Sequence, residues 1–112
     1  MIIEKGKRVK HNNSPQCTVY EYLHNDTDID VAVAEISGRY PEEGFAVNEK
    51  VKEIVYIVSG RGKIVLDGSV KDISAGDSAL INSNQKYFFE GNLELIISCN
   101  PAWYPAQYKT VK

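Results

Sequence analysis

The chain has 112 residues, 43% of them hydrophobic and 25% charged, with a formal net charge of -2. That length fits one domain that buries its own core without a metal or a disulfide. The charge balance offers no basic surface for nucleic acid or an anionic membrane, and no segment approaches the roughly 20 apolar residues of a membrane-spanning helix.

Met1-Ile2-Ile3 runs at once into Glu4, Lys5, Lys7 and Arg8. Nothing there reads as a signal peptide, so the cytoplasm is the expected location. Downstream, the apolar segments are short and β-branched and show no helical period, which is the pattern of an all-β sandwich or barrel. Thr18 to Leu23 is expected as a strand, followed by a turn at Asn25-Asp26-Thr27-Asp28, whose side chains bond readily to nearby backbone. Asp30 to Ser37 is the next strand, ended by Gly38, and residues 39–52 read as a looser connection. Glu53-Ile54-Val55-Tyr56-Ile57-Val58 is almost continuously apolar, as suits a central strand covered on both faces. Ser59-Gly60-Arg61-Gly62 is expected as a tight hairpin turn, with Lys63 to Asp67 returning antiparallel.

Asp67-Gly68 signals a further turn. Val70 to Ile73 and Ser78 to Ile81 are short strands, and Lys86 to Phe89 follows the turn Asn82-Ser83-Asn84-Gln85. A turn at Glu90-Gly91-Asn92 then precedes a last strand, Leu93 to Cys99. Pro101 and Pro105 make the tail extended or irregular. About eight strands in one domain, residues 1–112, are expected, with the tail 100–112 packing on the barrel.

Several short signals have plain readings. Gly60-Arg61-Gly62-Lys63 lacks the hydroxyl residue and the following helix of a phosphate loop. His11 and His24 lie in polar, turn-like sequence and read as surface residues. Cys17 and Cys99 show no metal-ligand spacing and are expected reduced and partly buried. Glu42-Glu43 reads as a solvated loop. Trp103 and Tyr104, between two prolines, are expected to pack over a barrel end or a subunit contact, an aromatic platform for a sugar ring being the alternative.

Two segments taken together carry more. EIVYIVSGRG (Glu53 to Gly62) and GDSALINSNQKYFFEG (Gly76 to Gly91) stand in the order, and at the separation, of the two motifs of the cupin superfamily, and the chain resembles that family over roughly residues 30–99. The resemblance implies a jelly-roll β-barrel, and Glu53 falls on the family's glutamate. The family's histidine positions fall on Ala46, Asn48 and Tyr87, or on Val47 and Glu49 with a shorter gap in the first motif. Its Pro-x-Gly turn becomes Asn82-Ser83-Asn84. All three histidine ligands are therefore replaced.

Asparagine is a weak metal ligand, and tyrosine must lose a proton with a pKa near 10 to become a good one. No metal or other cofactor is expected on these grounds. What remains is a polar group of Asn48, Glu53 and Tyr87 in an apolar barrel. The resemblance places Glu53 inward, where a carboxyl needs a partner, and Tyr87 and Asn48 can supply one. The leading expectation is a small-molecule-binding protein using these three residues, with a carbohydrate or organic acid as ligand. The alternatives are a metal-independent isomerase, epimerase or lyase using Tyr87 and Glu53 as acid and base, a metal-dependent enzyme with unusual ligands, and a purely structural network. The apolar Ile54-Tyr56-Val58 face, and the habits of small cupins, point to a homodimer.

Overall fold

The computed structural model describes residues 1–112. Nine strands form one antiparallel sheet that curls back on itself: β1 (Val9–Ser14), β2 (Cys17–Glu21), β3 (Asp30–Tyr40), β4 (Phe45–Asn48), β5 (Lys52–Leu66), β6 (Ser69–Ser74), β7 (Ser78–Ile81), β8 (Tyr87–Asn100) and β9 (Tyr108–Val111). This is the all-β jelly-roll architecture expected of the sequence. No helix is long and apolar enough to cross a membrane.

β8 is the axis of the sheet, with β3 along one edge and β5 along the other. β2 and β1 extend the sheet beyond β3, and β7 and β6 pair with the two halves of β5. Alternation of side chains brings Ile36, Val55, Ile57, Ile64, Phe89, Leu93 and Leu95 to the concave face, where they form the core.

Two expected turns are absent, for one reason. β5 runs unbroken through Ser59-Gly60-Arg61-Gly62, and β8 runs unbroken through Glu90-Gly91-Asn92. The glycines mark a bend in paired long strands rather than their ends. Gly62 lies opposite Gly91, and Gly91 lies opposite Gly38, so three strands cross the bend with no side chain at the crossing. A Cβ on Gly91 would meet Gly62 Cα at 2.5 Å and Arg61 O at 2.6 Å, at a φ of +140°. A bulge between Ile57 and Ser59 adds to the turn of β5.

Other boundaries also moved. The looser connection over residues 39–52 contains β4. The N-terminal β1 and the tail strand β9 were not foreseen. β9 pairs with β4 from Phe45↔Val111 to Asn48↔Tyr108, which brings the tail onto the barrel. β5 is not covered on both faces at its start: Val55 and Ile57 are buried, but Ile54 and Tyr56 are 56% and 46% exposed.

Candidate functional site

The inward parity of β5 buries Glu53 with Val55 and Ile57. Register sets Glu53 opposite Cys99 of β8, and Cys99 opposite Asp30 of β3. An acid, a thiol and a second acid therefore form one row across the concave face. Cys99 Sγ donates to Glu53 Oε2 at 3.6 Å, and Asp30 Oδ2 accepts the Trp103 backbone N–H at 2.9 Å.

Tyr87 reaches the same place from the start of β8. The turn before it is held by side chains: Gln85 Oε1 accepts the Asn82 N–H at 2.8 Å, and Asp67 Oδ1 accepts the Lys86 N–H at 2.9 Å. Asn84 sits at φ +68°, a conformation asparagine tolerates. Its N–H donates to the Asn48 carbonyl at 2.7 Å, joining the turn to β4. Tyr87 then pairs with Ala46 and packs edge-on against Phe89 at 5.9 Å.

Asn48 is buried behind this group. Its Oδ1 accepts from Gln107 Nε2 at 2.8 Å and from Trp103 Nε1 at 3.2 Å. Gln107 is fixed in turn, its Oε1 accepting the N–H groups of Lys50 and Val51. Asn48 Nδ2 is buried without a hydrogen-bond partner.

Burial pushes the Glu53 carboxyl above the usual glutamate range. Tyr87, Cys99 and Asn48 oppose the shift, and Asp30 adds to it. Tyr87 is raised well above the ordinary tyrosine value, first by burial and then by the charge of Glu53. Burial also raises Tyr40, Cys99 and Tyr108. Tyr40 and Tyr108 share a hydroxyl–hydroxyl hydrogen bond of 2.9 Å. These groups hold their protons tightly and suit hydrogen-bond donation better than metal ligation.

A cavity of about 310 Å3 opens over the row. Glu53 and Tyr87 line it together with Asp30, Tyr40, Trp103 and Tyr108, whereas Asn48 stands behind the wall and holds Trp103 in place. His24 is half-buried at the rim rather than a free surface residue, while His11 is exposed and pairs with Glu21 at 2.9 Å. Cys17 and Cys99 are both free and buried. Asp30, Tyr40 and Tyr108 were not singled out from the sequence, and Cys99 was expected only as a reduced, partly buried thiol. Asp30 shares the parity of Ala32, Ala34 and Ile36, and that was the one available signal for it.

The donor set does not fit a transition metal. Ala46 offers no ligand, Asn48 Oδ1 is already engaged twice, and Glu53 and Tyr87 are biased toward their protonated forms. No three His, Cys, Asp or Glu side chains, the row of Glu53, Cys99 and Asp30 included, are placed to hold a metal ion together.

Fold and cavity together define a small β-barrel protein with a recessed, mostly apolar pocket that carries a few carboxyl groups. The cupin domain family model matches residues 40–96, and the chain belongs to that family. No curated protein matches in sequence. Among solved structures, the chain is similar to Pac13, a nucleoside dehydratase with a β-barrel, at 17% identity and a TM-score of 0.90, covering 100% of this chain and 91% of that one. A Streptomyces PAC13 variant solved with uridine gives 18% identity and a TM-score of 0.86, with 96% and 87% covered. KdgF from Halomonas sp. gives 17% identity and a TM-score of 0.75, with 90% and 93% covered.

Proposed function

We propose that this cupin binds a small polar organic molecule in the barrel cavity, with Glu53 and Tyr87 in contact with it and Asn48 fixing the wall from behind. The observation that carries this reading is Glu53 itself, a carboxyl almost fully removed from solvent yet lining an open cavity, with the Cys99 thiol and the Tyr87 hydroxyl as its neighbours and no cation beside it. A buried carboxyl with spare acceptor capacity is costly for folding alone. Of the two ligand classes the sequence allowed, a hydroxyl-rich molecule fits better than an organic acid. The cavity is lined by Glu21, Asp26, Asp30 and Glu53 and by no lysine or arginine. The similarity to a uridine-bound barrel supports a ligand of sugar or nucleoside size.

Trp103 is the only tryptophan and lines the cavity, so its fluorescence reports occupancy directly. Titration with uridine and with neutral monosaccharides is expected to give a saturable change that weakens in Glu53→Gln and Tyr87→Phe. Saturation of equal affinity in both variants would remove these residues from the site.

A second reading is acid–base catalysis. The raised carboxyl of Glu53 beside the Tyr87 hydroxyl favours it, since such a pair can give a proton to a leaving group or an enolate. The likeness to a nucleoside dehydratase adds support for an elimination. A Tyr87→Phe variant that still binds but no longer turns over a substrate would favour this reading over binding alone.

The protein is further read as a homodimer of the cytoplasm. Two free buried cysteines suit a reducing compartment. The outer face of the sheet carries Tyr56, Ile96, Val33 and Tyr20 in one paired row. A row of this kind, with Arg8 stacked on Tyr20 at one end and Tyr56 exposed at the other, can meet its own copy across a two-fold axis.

A further inference from the structure

The proposed pocket has an unbalanced charge, and the imbalance is local. The chain carries 13 lysines and arginines, yet none lines the cavity, while four carboxyl side chains do. Two of the four are already engaged. Asp26 Oδ1 accepts the N–H groups of Asp28 and Ile29, and Glu21 pairs with His11. Asp30 and Glu53 keep spare acceptors. Asp30 uses Oδ2 for the Trp103 N–H, and Glu53 accepts the thiol of Cys99 with the Tyr87 hydroxyl beside it, which leaves each carboxyl with lone pairs to offer.

The sheet fixes how these two face each other. They lie on β3 and β5 with Cys99 of β8 between them, so their backbones are two strand spacings apart, about 10 Å. Both side chains line the same cavity on either side of the Cys99 thiol, so a cation seated over that thiol faces both acids. Aromatic side chains complete the enclosure: Trp103 packs on Tyr108 with ring centroids 5.8 Å apart, and Tyr40 bonds to Tyr108. Carboxyl oxygens and aromatic rings are the two kinds of surface that attract an organic cation, and an ammonium supplies donors that both acids can accept.

Resting on the pocket reading above, we propose that the ligand carries an ammonium group, held between Asp30 and Glu53 and against the aromatic side chains of Trp103, Tyr40 and Tyr108. Asp30 is the specificity-determining residue of this arrangement. It is half-buried near Trp103 and meets the ligand's charge, while Glu53 contacts it from the floor. Phosphorylated and carboxylated molecules are rejected at Asp30, since like charges in a recessed site repel strongly, whereas Glu53 contributes a hydrogen-bonding carboxyl at the floor.

Three probes of matched size separate charge from shape: benzylamine, benzyl alcohol and benzoate, titrated at neutral pH and low salt against Trp103 fluorescence of the intact chain. The expected result is saturable binding of benzylamine about tenfold tighter than benzyl alcohol, and no saturation with benzoate. Asp30→Asn, which keeps an acceptor for the Trp103 N–H, is expected to erase the preference, bringing benzylamine to the affinity of benzyl alcohol. Glu53→Gln serves as a second variant if Asp30→Asn folds poorly, and it is expected to reduce the same preference. Benzyl alcohol or benzoate binding as tightly as benzylamine overturns the charge selection and leaves the pocket reading standing. A flat response to all three probes, together with a flat response to uridine and monosaccharides, overturns both. An unchanged preference in both variants removes Asp30 and Glu53 from the proposal.

Discussion

Trp103 Nε1 donates a hydrogen bond to Asn48 Oδ1 at 3.2 Å, across 55 residues of sequence. The same oxygen accepts Gln107 Nε2. One asparagine, at a position where the cupin motif would place a histidine ligand, thus anchors the tail and one wall of the cavity. Trp103→Phe keeps most of the ring and removes the donor. A loss of about 1 kcal/mol is expected, read as a lower denaturant midpoint with an unchanged slope. Asn48→Ala strands the Gln107 amide as well, and is expected to cost more than Trp103→Phe in the same assay.

The bend at Gly91 makes a strong prediction about stability. A methyl there collides with Gly62 and the Arg61 carbonyl, at a backbone angle that side chains rarely adopt. Gly91→Ala is expected to destabilise the fold by about 3 kcal/mol. Gly68 has open space around its Cβ position and serves as a control with only its positive φ to strain it. Thermal melts of the two variants should differ clearly, with Gly91→Ala far lower.

Glu53 gives a pH dependence of definite sign. Its carboxyl pKa is raised in the folded protein, so the folded chain holds this proton at pH values where the unfolded chain has lost it. The contribution to stability is complete below the ordinary glutamate pKa and fades as pH rises through the raised value. The wild type is therefore expected to lose stability between mildly acidic and alkaline pH. Glu53→Gln should flatten that part of the curve and be comparatively more stable at pH 8 than at pH 5. Chemical denaturation of both proteins across that range is the measurement, and parallel curves would count against a buried acidic proton on Glu53.

Alkaline pH is expected to act on the same wall. Burial raises the Cys17 thiol to about 11 and also raises Tyr40, Tyr87 and Tyr108. Unfolding releases protons from all of them above about pH 9, so stability should fall steeply there. Tyrosinate absorbance is expected to appear together with loss of β-sheet circular dichroism, rather than before it. Early titration of every tyrosine in a still-folded chain would contradict the enclosure of Tyr87.

The outer face carries the prediction about assembly. Tyr56→Lys places a charge at the exposed end of the apolar row without touching the cavity. The wild type is expected to run as a dimer in size-exclusion chromatography with light scattering, and Tyr56→Lys as a monomer with unchanged uridine binding. A monomeric wild type at micromolar concentration would dispose of the dimer.

Much of this molecule was legible in one dimension. β-branched runs, turn residues and the two glycine-punctuated motifs determined an all-β barrel, and the motif addresses drew attention to Asn48, Glu53 and Tyr87. Local pattern reaches this far because strand alternation and turn chemistry act over a few residues. It fails at Gly60, Gly62 and Gly91, because a glycine that ends a strand and a glycine that bends one look alike in sequence. Only the partner strand, with another glycine opposite, decides between them. Asp30 and Cys99 were likewise ordinary strand residues until register set them beside Glu53. His24 read as a surface turn until the chain folded it onto the cavity rim. The sequence by itself therefore determined the kind of barrel and its polar addresses, through short-range backbone and side-chain preferences. Tertiary pairing alone decided which acids, rings and thiol share the cavity, because those contacts join strands that are distant in sequence.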